Sequence, residues 1–211
     1  MSSKQAQLIV SQFVSTVFHP LLLPSLAFLI LILQQNVLEL GIPPSLKWYL
    51  LAVVLITSFL MPASIIFLVY KLGFIKSLQM EKRSDRVLPL LVTAVFFLLT
   101  FFLLGHFSIA PIFLFYLIGA TMLTLFVLGI SLFWKISLHA TGFGGFTAAL
   151  LLCNCFFSTD LMSYIAATIL IAGLVCSARL LLHAHKPSQV YVGFLTGLGF
   201  ISGLFYVSFL L

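Results

Sequence analysis

The sequence predicts an all-α fold: a polytopic transmembrane helical bundle of six to seven spans. Apolar residues make up 63% of the 211 positions, charged residues make up 7%, and the mean hydropathy is +1.28. A soluble chain exposes far more charge, so this composition indicates that lipid is the solvent. The apolar residues also gather in stretches close to the ~20 residues that a helix needs to cross a bilayer.

Seven such stretches are predicted, with the bounds 10–33, 49–69, 87–104, 111–133, 141–157, 161–175 and 190–211. Pro20 and Pro24 lie within the first stretch and predict a kink or a re-entrant start there, which leaves six spans as the alternative. The shorter stretches are expected to extend into their polar flanks, because the candidate site residues lie at their ends.

The whole chain, 1–211, is predicted to be one membrane domain, because no Pro-, Ser- or charge-rich linker divides it. The net charge of +6 is attributed to loops that contact anionic lipid headgroups, and no nucleic-acid partner is expected. The three cysteines have neither metal-ligand spacing nor the pattern of a disulfide framework. Nothing in the sequence predicts the oligomeric state.

Charge is distributed unevenly between the two predicted membrane faces. If every stretch crosses, the loops 70–86, 134–140 and 176–189 share one face and hold most of the basic residues, with Lys4 beside them. Lys47 is then the only base on the other face. The positive-inside rule makes the basic face cytoplasmic, in an integral protein of the cell inner membrane. In a second interpretation, compatible with the first, several of these cations bind an anion.

Three short segments within residues 80–193 place ionisable residues at predicted helix ends, where charge near membrane depth marks function. Their candidate site residues are Lys82 and Arg86 in the first segment, Ser137 and His139 in the second, and Arg179, His185 and Gln189 in the third.

This set of side chains suits phosphoryl transfer. The transferred group spreads negative charge over its oxygens, which fixed cations and N–H donors stabilise. A neutral imidazole can attack phosphorus, and a protonated one can donate a proton to the leaving oxygen. The four carboxylates do not cluster with the histidines, so neither a metal site nor another cofactor is expected. These carboxylates are Glu39, Glu81, Asp85 and Asp160.

The third segment carries the most specific resemblance to a known family. Ala178-Arg179, five residues, His185, three residues and Gln189 has the spacing of the third motif of the type 2 phosphatidic acid phosphatases, which reads Ser-Arg, five residues, His, three residues, Asp. These membrane lipid-phosphate phosphatases often have Gly where Gly193 stands here. The chain therefore resembles this family, with Gln189 in place of the Asp.

The other two segments extend the resemblance to about residues 80–200. Ile136-Ser137-Leu138-His139 aligns with the second family motif, Pro-Ser-Gly-His, with Ile in place of Pro and Leu in place of Gly. The first motif, a Lys followed at a distance by Arg-Pro, is met more loosely, by the residues Lys82, Arg86 and Pro89.

The resemblance implies a metal-independent phosphatase that hydrolyses a lipid phosphate through a phosphohistidine intermediate. It makes His185 the nucleophile and His139 the general acid, with Gln189 where the family's Asp would orient the nucleophile. The residues that would bind the substrate phosphate are Lys82, Arg86, Ser137 and Arg179.

Gln189 also motivates an alternative function. Its amide oxygen can accept the hydrogen bond that an Asp would accept, but it carries no charge. The alternative is a lipid-phosphate binding or transport protein on the same scaffold, with weak or no turnover. Membrane lipids and a phosphorylated lipid are the partners expected in either case. His19, within the first stretch, is expected to serve packing or helix bending, and His183 is interpreted as a neighbour of the site.

Overall fold

The computed structural model of the protein describes residues 3–34, 43–80, 82–107, 109–156 and 159–209. Within these ranges the secondary structure is helical, without β-strands, which confirms the predicted all-α fold. The α-helices are α1 Ser3–Val17, α2 Leu23–Leu33, α3 Pro44–Leu55, α4 Met61–Lys71, α5 Ser84–Leu104, α6 Pro111–Phe133, α7 Leu138–Phe156, α8 Met162–Leu181 and α9 Pro187–Phe209.

Among the described residues, seven helical stretches are long and apolar enough to span a membrane. A π-helical segment, Ile56–Leu60, joins α3 and α4 into one of them, and the stretches extend into polar flanks as predicted. Large apolar side chains point outward, with Phe133 79% and Leu170 71% exposed. Such a surface is favourable only against lipid, so the protein is an integral membrane protein.

The first stretch is broken at His19, whose backbone is extended (φ −73°, ψ 137°) ahead of a 3-10 turn, Pro20–Leu22. Helix α1 packs along α8, whereas α2 packs against α3, α6 and α7. Ser15, near the end of α1, contacts Arg179, near the end of α8. Two helices that pack lengthwise with their C-terminal ends together run in the same direction, so α1 runs toward the site end of the bundle. Helix α2 runs away from it, because its Phe28 packs against Phe113 at the start of α6. The chain therefore reverses at His19, and α1, the turn and α2 together form a hairpin.

This hairpin corrects the predicted position of Lys4. The prediction that Lys4 shares a face with the basic loops assumed that the first stretch crosses once, which is wrong, because the chain reverses at His19. Lys4 begins α1 and so lies toward the end of the bundle where α8 begins. Helix α1 rises about 22 Å along its axis. It is therefore too short to cross the ~30 Å hydrocarbon core by itself.

Helices α7 and α9 approach closely through glycines. A Cβ added at Gly144 would overlap the Phe194 carbonyl, and one added at Gly197 would overlap the Thr141 carbonyl. Gly197 therefore serves close helix packing within the chain. Gly199, by contrast, has no heavy atom of the described residues within 4 Å of such a Cβ. The close contact between α7 and α9 places the starts of these two helices side by side, and the candidate site lies there.

Candidate functional site

A cavity of about 1040 Å³ lies inside the bundle. One end is polar and cationic, and its lining includes Arg86, Lys135, His139, Arg179, His183 and His185. The rest is largely apolar, with lining residues that include Ile66, Phe97, Leu123, Phe146 and Ile201. The cavity is therefore amphipathic, with a volume at the upper end of the range that small-molecule sites occupy.

Arg86 lies in the first turn of α5 and is only 2% exposed. Its Nε donates to the Met80 carbonyl at 3.1 Å and its Nη1 donates to the Ile136 carbonyl at 2.7 Å. Met80 has a left-handed backbone (φ 52°), so the loop before α5 turns sharply at the residue whose carbonyl Arg86 binds. Arg86 thus joins two loops and places its guanidinium at the wall of the cavity.

Arg179 lies in the last turn of α8 and reaches across to α1. Its Nη1 donates a hydrogen bond of 2.8 Å to the Ser15 Oγ. Its Nε is buried and finds no acceptor anywhere in the described ranges. A buried donor on a charged group without an acceptor is costly and calls for an explanation. An anion in the cavity would supply the acceptor.

The turn after α8 brings His185 back over Arg179. The N–H of Ala184 donates to the Arg179 carbonyl at 3.1 Å, and the N–H of His183 donates to the Leu180 carbonyl at 2.9 Å. This is the Schellman arrangement that ends many helices. His183 occupies its left-handed position (φ 50°), which histidine tolerates better than most residues do. His183 therefore has a structural role in the turn.

His185 is held by Gln189, in the first turn of α9. The His185 Nδ1 lies 3.1 Å from the Gln189 Oε1, and the backbone N–H of Lys186 donates to the same oxygen at 3.1 Å. The Lys186 N–H requires an acceptor there, which fixes the amide orientation. Nδ1 must then carry the proton and donate it, so the lone pair of a neutral His185 is on Nε2. Gln189 thus occupies the orienting position that the resemblance gave to Asp.

Burial lowers the pKa of His185 from its ordinary value of 6.5 to about 4. The hydrogen bond to Gln189 opposes this shift, whereas the positive charges of Arg86, Arg179 and Lys135 add to it. His185 is therefore neutral at neutral pH. A neutral imidazole with a lone pair on Nε2, close to three cations, is equipped to attack an electrophile that carries negative charge.

His139 lies in the first turn of α7, and α1 holds its ring. Its Nε2 is 3.0 Å from the Ser15 carbonyl oxygen, which can only accept, so Nε2 carries a proton and donates it. The other ring nitrogen, Nδ1, is the one left to exchange a proton with a ligand. Ser15 thus contacts both His139 and Arg179: its carbonyl lies 3.0 Å and its hydroxyl 3.5 Å from the His139 Nε2, and the hydroxyl also accepts from the Arg179 Nη1.

Ser137 does not lie where a phosphate ligand is expected. It is 0% exposed and is not among the residues that line the cavity. Its Oγ accepts from the Ala140 N–H at 3.4 Å, which makes it the N-cap of α7, and its own N–H donates to the Gln189 carbonyl at 3.1 Å. The expected phosphate contact is corrected to a capping role, which fixes the start of α7 beside that of α9.

Lys82 also lies away from the cavity lining, as an exposed residue of the loop before α5. Lys135, from the loop between α6 and α7, lines the cavity instead. The expected phosphate contact of Lys82 is corrected accordingly. Of the seven predicted residues, the structure brings Arg86, His139, Arg179 and His185 to one cavity, with Gln189 directly behind His185.

The site residues predicted from the sequence do not include Ser15, His19 and Lys135, which are among the polar residues of the cavity lining. His19 and Pro20 together signalled a break in the first stretch, and Lys135 lay within a segment already singled out. Ser15 gave no signal, because its contacts are with residues more than 100 positions away. The segment that holds the site therefore extends beyond residues 80–193 to include the end of α1.

Carboxylates contribute little to this cavity. Glu39 and Glu81 lie outside the described residues, and Asp85 is buried with a 3.5 Å contact to the Ser84 Oγ. His185 is oriented by Gln189 and not by Asp85. In the part of the chain that the structure describes, no three His, Cys, Asp or Glu side chains group as a metal site would require.

Together, the fold and the site define an α-helical integral membrane protein with an amphipathic cavity whose polar end suits an anion. Comparison of the chain with protein-family models, with curated proteins and with solved structures finds no match.

Proposed function

We propose that the protein is a metal-independent lipid-phosphate phosphatase that works through a phosphohistidine intermediate. The observation that carries the proposal is the state of His185: it is neutral, has its lone pair on Nε2, and lies beside Arg86 and Arg179. The family resemblance of the three segments, the type 2 phosphatidic acid phosphatases, points to the same chemistry. The apolar part of the cavity favours a lipid as the carrier of the phosphate.

The first step breaks the bond between phosphorus and the lipid oxygen. The His185 Nε2 attacks phosphorus, while Arg86, Arg179 and Lys135 stabilise the charge on the other phosphate oxygens. The negative charge of the bound phosphate favours a cationic His139, which enters this step protonated on both nitrogens, with its Nε2–H on the Ser15 carbonyl. Its Nδ1 proton goes to the departing lipid oxygen, and His139 becomes neutral.

The second step releases the phosphate. The His139 Nδ1 takes a proton from a water molecule, whose oxygen attacks the phosphorus bound to His185. The phosphorus–nitrogen bond breaks, inorganic phosphate leaves, and His139 is again protonated on both nitrogens. Throughout, the Ser15 carbonyl holds the His139 ring and the Gln189 amide holds the His185 ring.

Purified protein in lipid nanodiscs should release inorganic phosphate from a panel of lipid monophosphates and diphosphates. His185→Ala should abolish release, and His106→Ala, an exposed histidine after α5, is the matched control that should not change it. Equal release by wild type and His185→Ala would remove His185 as the nucleophile.

The alternative, a lipid-phosphate binding or transport protein, is favoured by one observation: the group behind His185 is an amide, which cannot stabilise a positive imidazole as a carboxylate would. Under this alternative, a lipid phosphate raises the unfolding temperature of the wild type without phosphate release. Arg179→Ala should then reduce that thermal shift, since the cations hold the ligand under either function.

We also propose that the site faces the cytoplasm, in the cell inner membrane. Setting Arg86, Lys135 and Arg179 aside as ligands, the basic residues at the site end still outnumber Lys4 and Lys47, the described bases at the opposite end. The remaining bases at the site end are Lys71, Lys76, Lys82, Arg83 and Lys186. Labelling of single cysteines introduced at Lys76 and Lys47 in intact cells tests this orientation. Labelling of the position 76 variant from outside would contradict it.

A further inference from the structure

His19 occupies the break between α1 and the 3-10 turn, and its ring caps that turn. The His19 Nδ1 accepts a hydrogen bond of 3.3 Å from the Leu21 N–H. A nitrogen that accepts carries no proton, so the neutral imidazole of His19 has its proton on Nε2. The cap also restricts the ring, because rotation would leave the Leu21 N–H without this acceptor.

His19 belongs to the polar end of the cavity, and with Nδ1 engaged by the Leu21 N–H, Nε2 is the ring nitrogen left for a ligand. His19 lines the cavity, and its ring lies 5.4 Å from that of His139, centroid to centroid, at an angle of 78°. Ser15, one turn earlier, binds both His139 and Arg179. Within the described residues, the Nε2–H of His19 makes no hydrogen bond.

We propose that His19 is a phosphate-contacting residue: its Nε2–H donates a hydrogen bond to an oxygen of the phosphate held by Arg179 and Arg86. This inference rests on the proposed function, in either its phosphatase or its binding form. A neutral N–H donor in a fixed ring adds a directed contact without adding charge to a site that already holds several cations. The hairpin of α1 and α2 is thus part of the ligand site as well as of the bundle.

Two substitutions separate the cap from the proposed contact. Asn at position 19 can cap the turn through its side-chain oxygen, as His Nδ1 does, but it has no group at the place of Nε2. Gln is longer and can bring its amide N–H close to the place of Nε2, but it does not reproduce the cap. A contact role predicts that His19→Asn loses affinity and that His19→Gln retains most of it. If His19 only caps the turn, His19→Gln should lose more affinity than His19→Asn.

The measurement is the dissociation constant for phosphatidic acid in nanodiscs and for inorganic phosphate in solution, with the unfolding temperature of each variant. His19→Asn should raise both dissociation constants about tenfold or more, as expected for the loss of a hydrogen bond to a charged group. Its unfolding temperature should stay close to that of the wild type. His106→Asn and His106→Gln, at an exposed histidine of the opposite end, are matched controls that should bind as the wild type does.

Wild-type affinity in both His19 variants, or stronger binding by His19→Asn than by His19→Gln, would overturn the contact role and leave the proposed function standing. If the wild type binds neither phosphatidic acid nor inorganic phosphate, the proposed function fails and the His19 contact fails with it. Binding of phosphatidic acid alone would identify the lipid phosphate as the ligand, whereas equal binding of inorganic phosphate would identify the phosphate group as the main determinant.

Discussion

His185 and His139 lie in the same cavity, but the chain holds their rings in different ways. His185 bonds to Gln189, four residues later, through a contact that the start of α9 forms by itself. His139 bonds to the backbone of Ser15, 124 positions earlier, across the hairpin of α1 and α2. The first contact can be changed by one substitution without disturbing the bundle. The second exists only when the hairpin is packed against α8.

The local contact should show the largest effect. Gln189→Ala removes the acceptor that fixes the tautomer of His185, so kcat/KM for phosphate release should fall a hundredfold or more; in the serine-protease triad, Asp→Asn costs about 10⁴-fold through the wrong tautomer. Gln189→Asp should maintain or raise kcat/KM. Ser188→Ala, at the exposed neighbouring position, should have no effect. An unchanged rate in Gln189→Ala would mean that His185 does not need this orienting contact.

The pH dependence of kcat/KM tests the same contact between His185 and Gln189. The pKa of His185 is lowered to about 4. As the pH is lowered from neutral, kcat/KM should therefore stay constant until the pH approaches 4. A carboxylate introduced by Gln189→Asp favours the protonated imidazole and should move this limb to higher pH. A limb that does not move between the two proteins would show that it belongs to a group other than His185.

The lowered pKa of His185 should also make the free energy of unfolding depend on pH. Between the ordinary pKa of 6.5 and about pH 4, the unfolded chain binds a proton at His185 more readily than the folded chain does. The free energy of unfolding therefore decreases as the pH falls through that window. The decrease should be smaller in Gln189→Asp, and thermal unfolding at several pH values measures it.

The same two contacts explain how much of the protein could be predicted from its sequence. Helices of about 20 apolar residues and the four-residue spacing of His185 and Gln189 are local patterns, so the sequence shows them directly. The role of Ser15 depends on a reversal of the chain at His19 that brings α1 alongside α8. Composition cannot distinguish this hairpin from a single kinked span. The choice between Lys82 and Lys135 likewise depends on which loop Arg86 binds, a long-range contact.

A smaller effect is expected when the hydroxyl of Ser15 is removed. Ser15→Ala removes the acceptor of the Arg179 Nη1 and the longer, 3.5 Å contact of the hydroxyl with His139, but it keeps the backbone carbonyl that lies 3.0 Å from the His139 Nε2. Binding of the lipid phosphate should weaken about tenfold, as a hydrogen bond to a charged group implies, with kcat nearly unchanged. Ser11→Ala, one turn earlier on α1 and also buried, is the matched control. A large loss of kcat in Ser15→Ala would show that His139 depends on the hydroxyl as well.

The smallest effect separates Lys82, the phosphate ligand that the resemblance implied, from Lys135, which lines the cavity instead. Lys135 lines the cavity, and its charge helps to lower the pKa of His185, whereas Lys82 is exposed and away from the lining. Lys135→Ala should raise KM about fivefold by removing a charge from the ligand site. Lys82→Ala should leave KM unchanged. The reverse order would return Lys82 to the role that the resemblance implied and would remove Lys135 from the group of cations around His185.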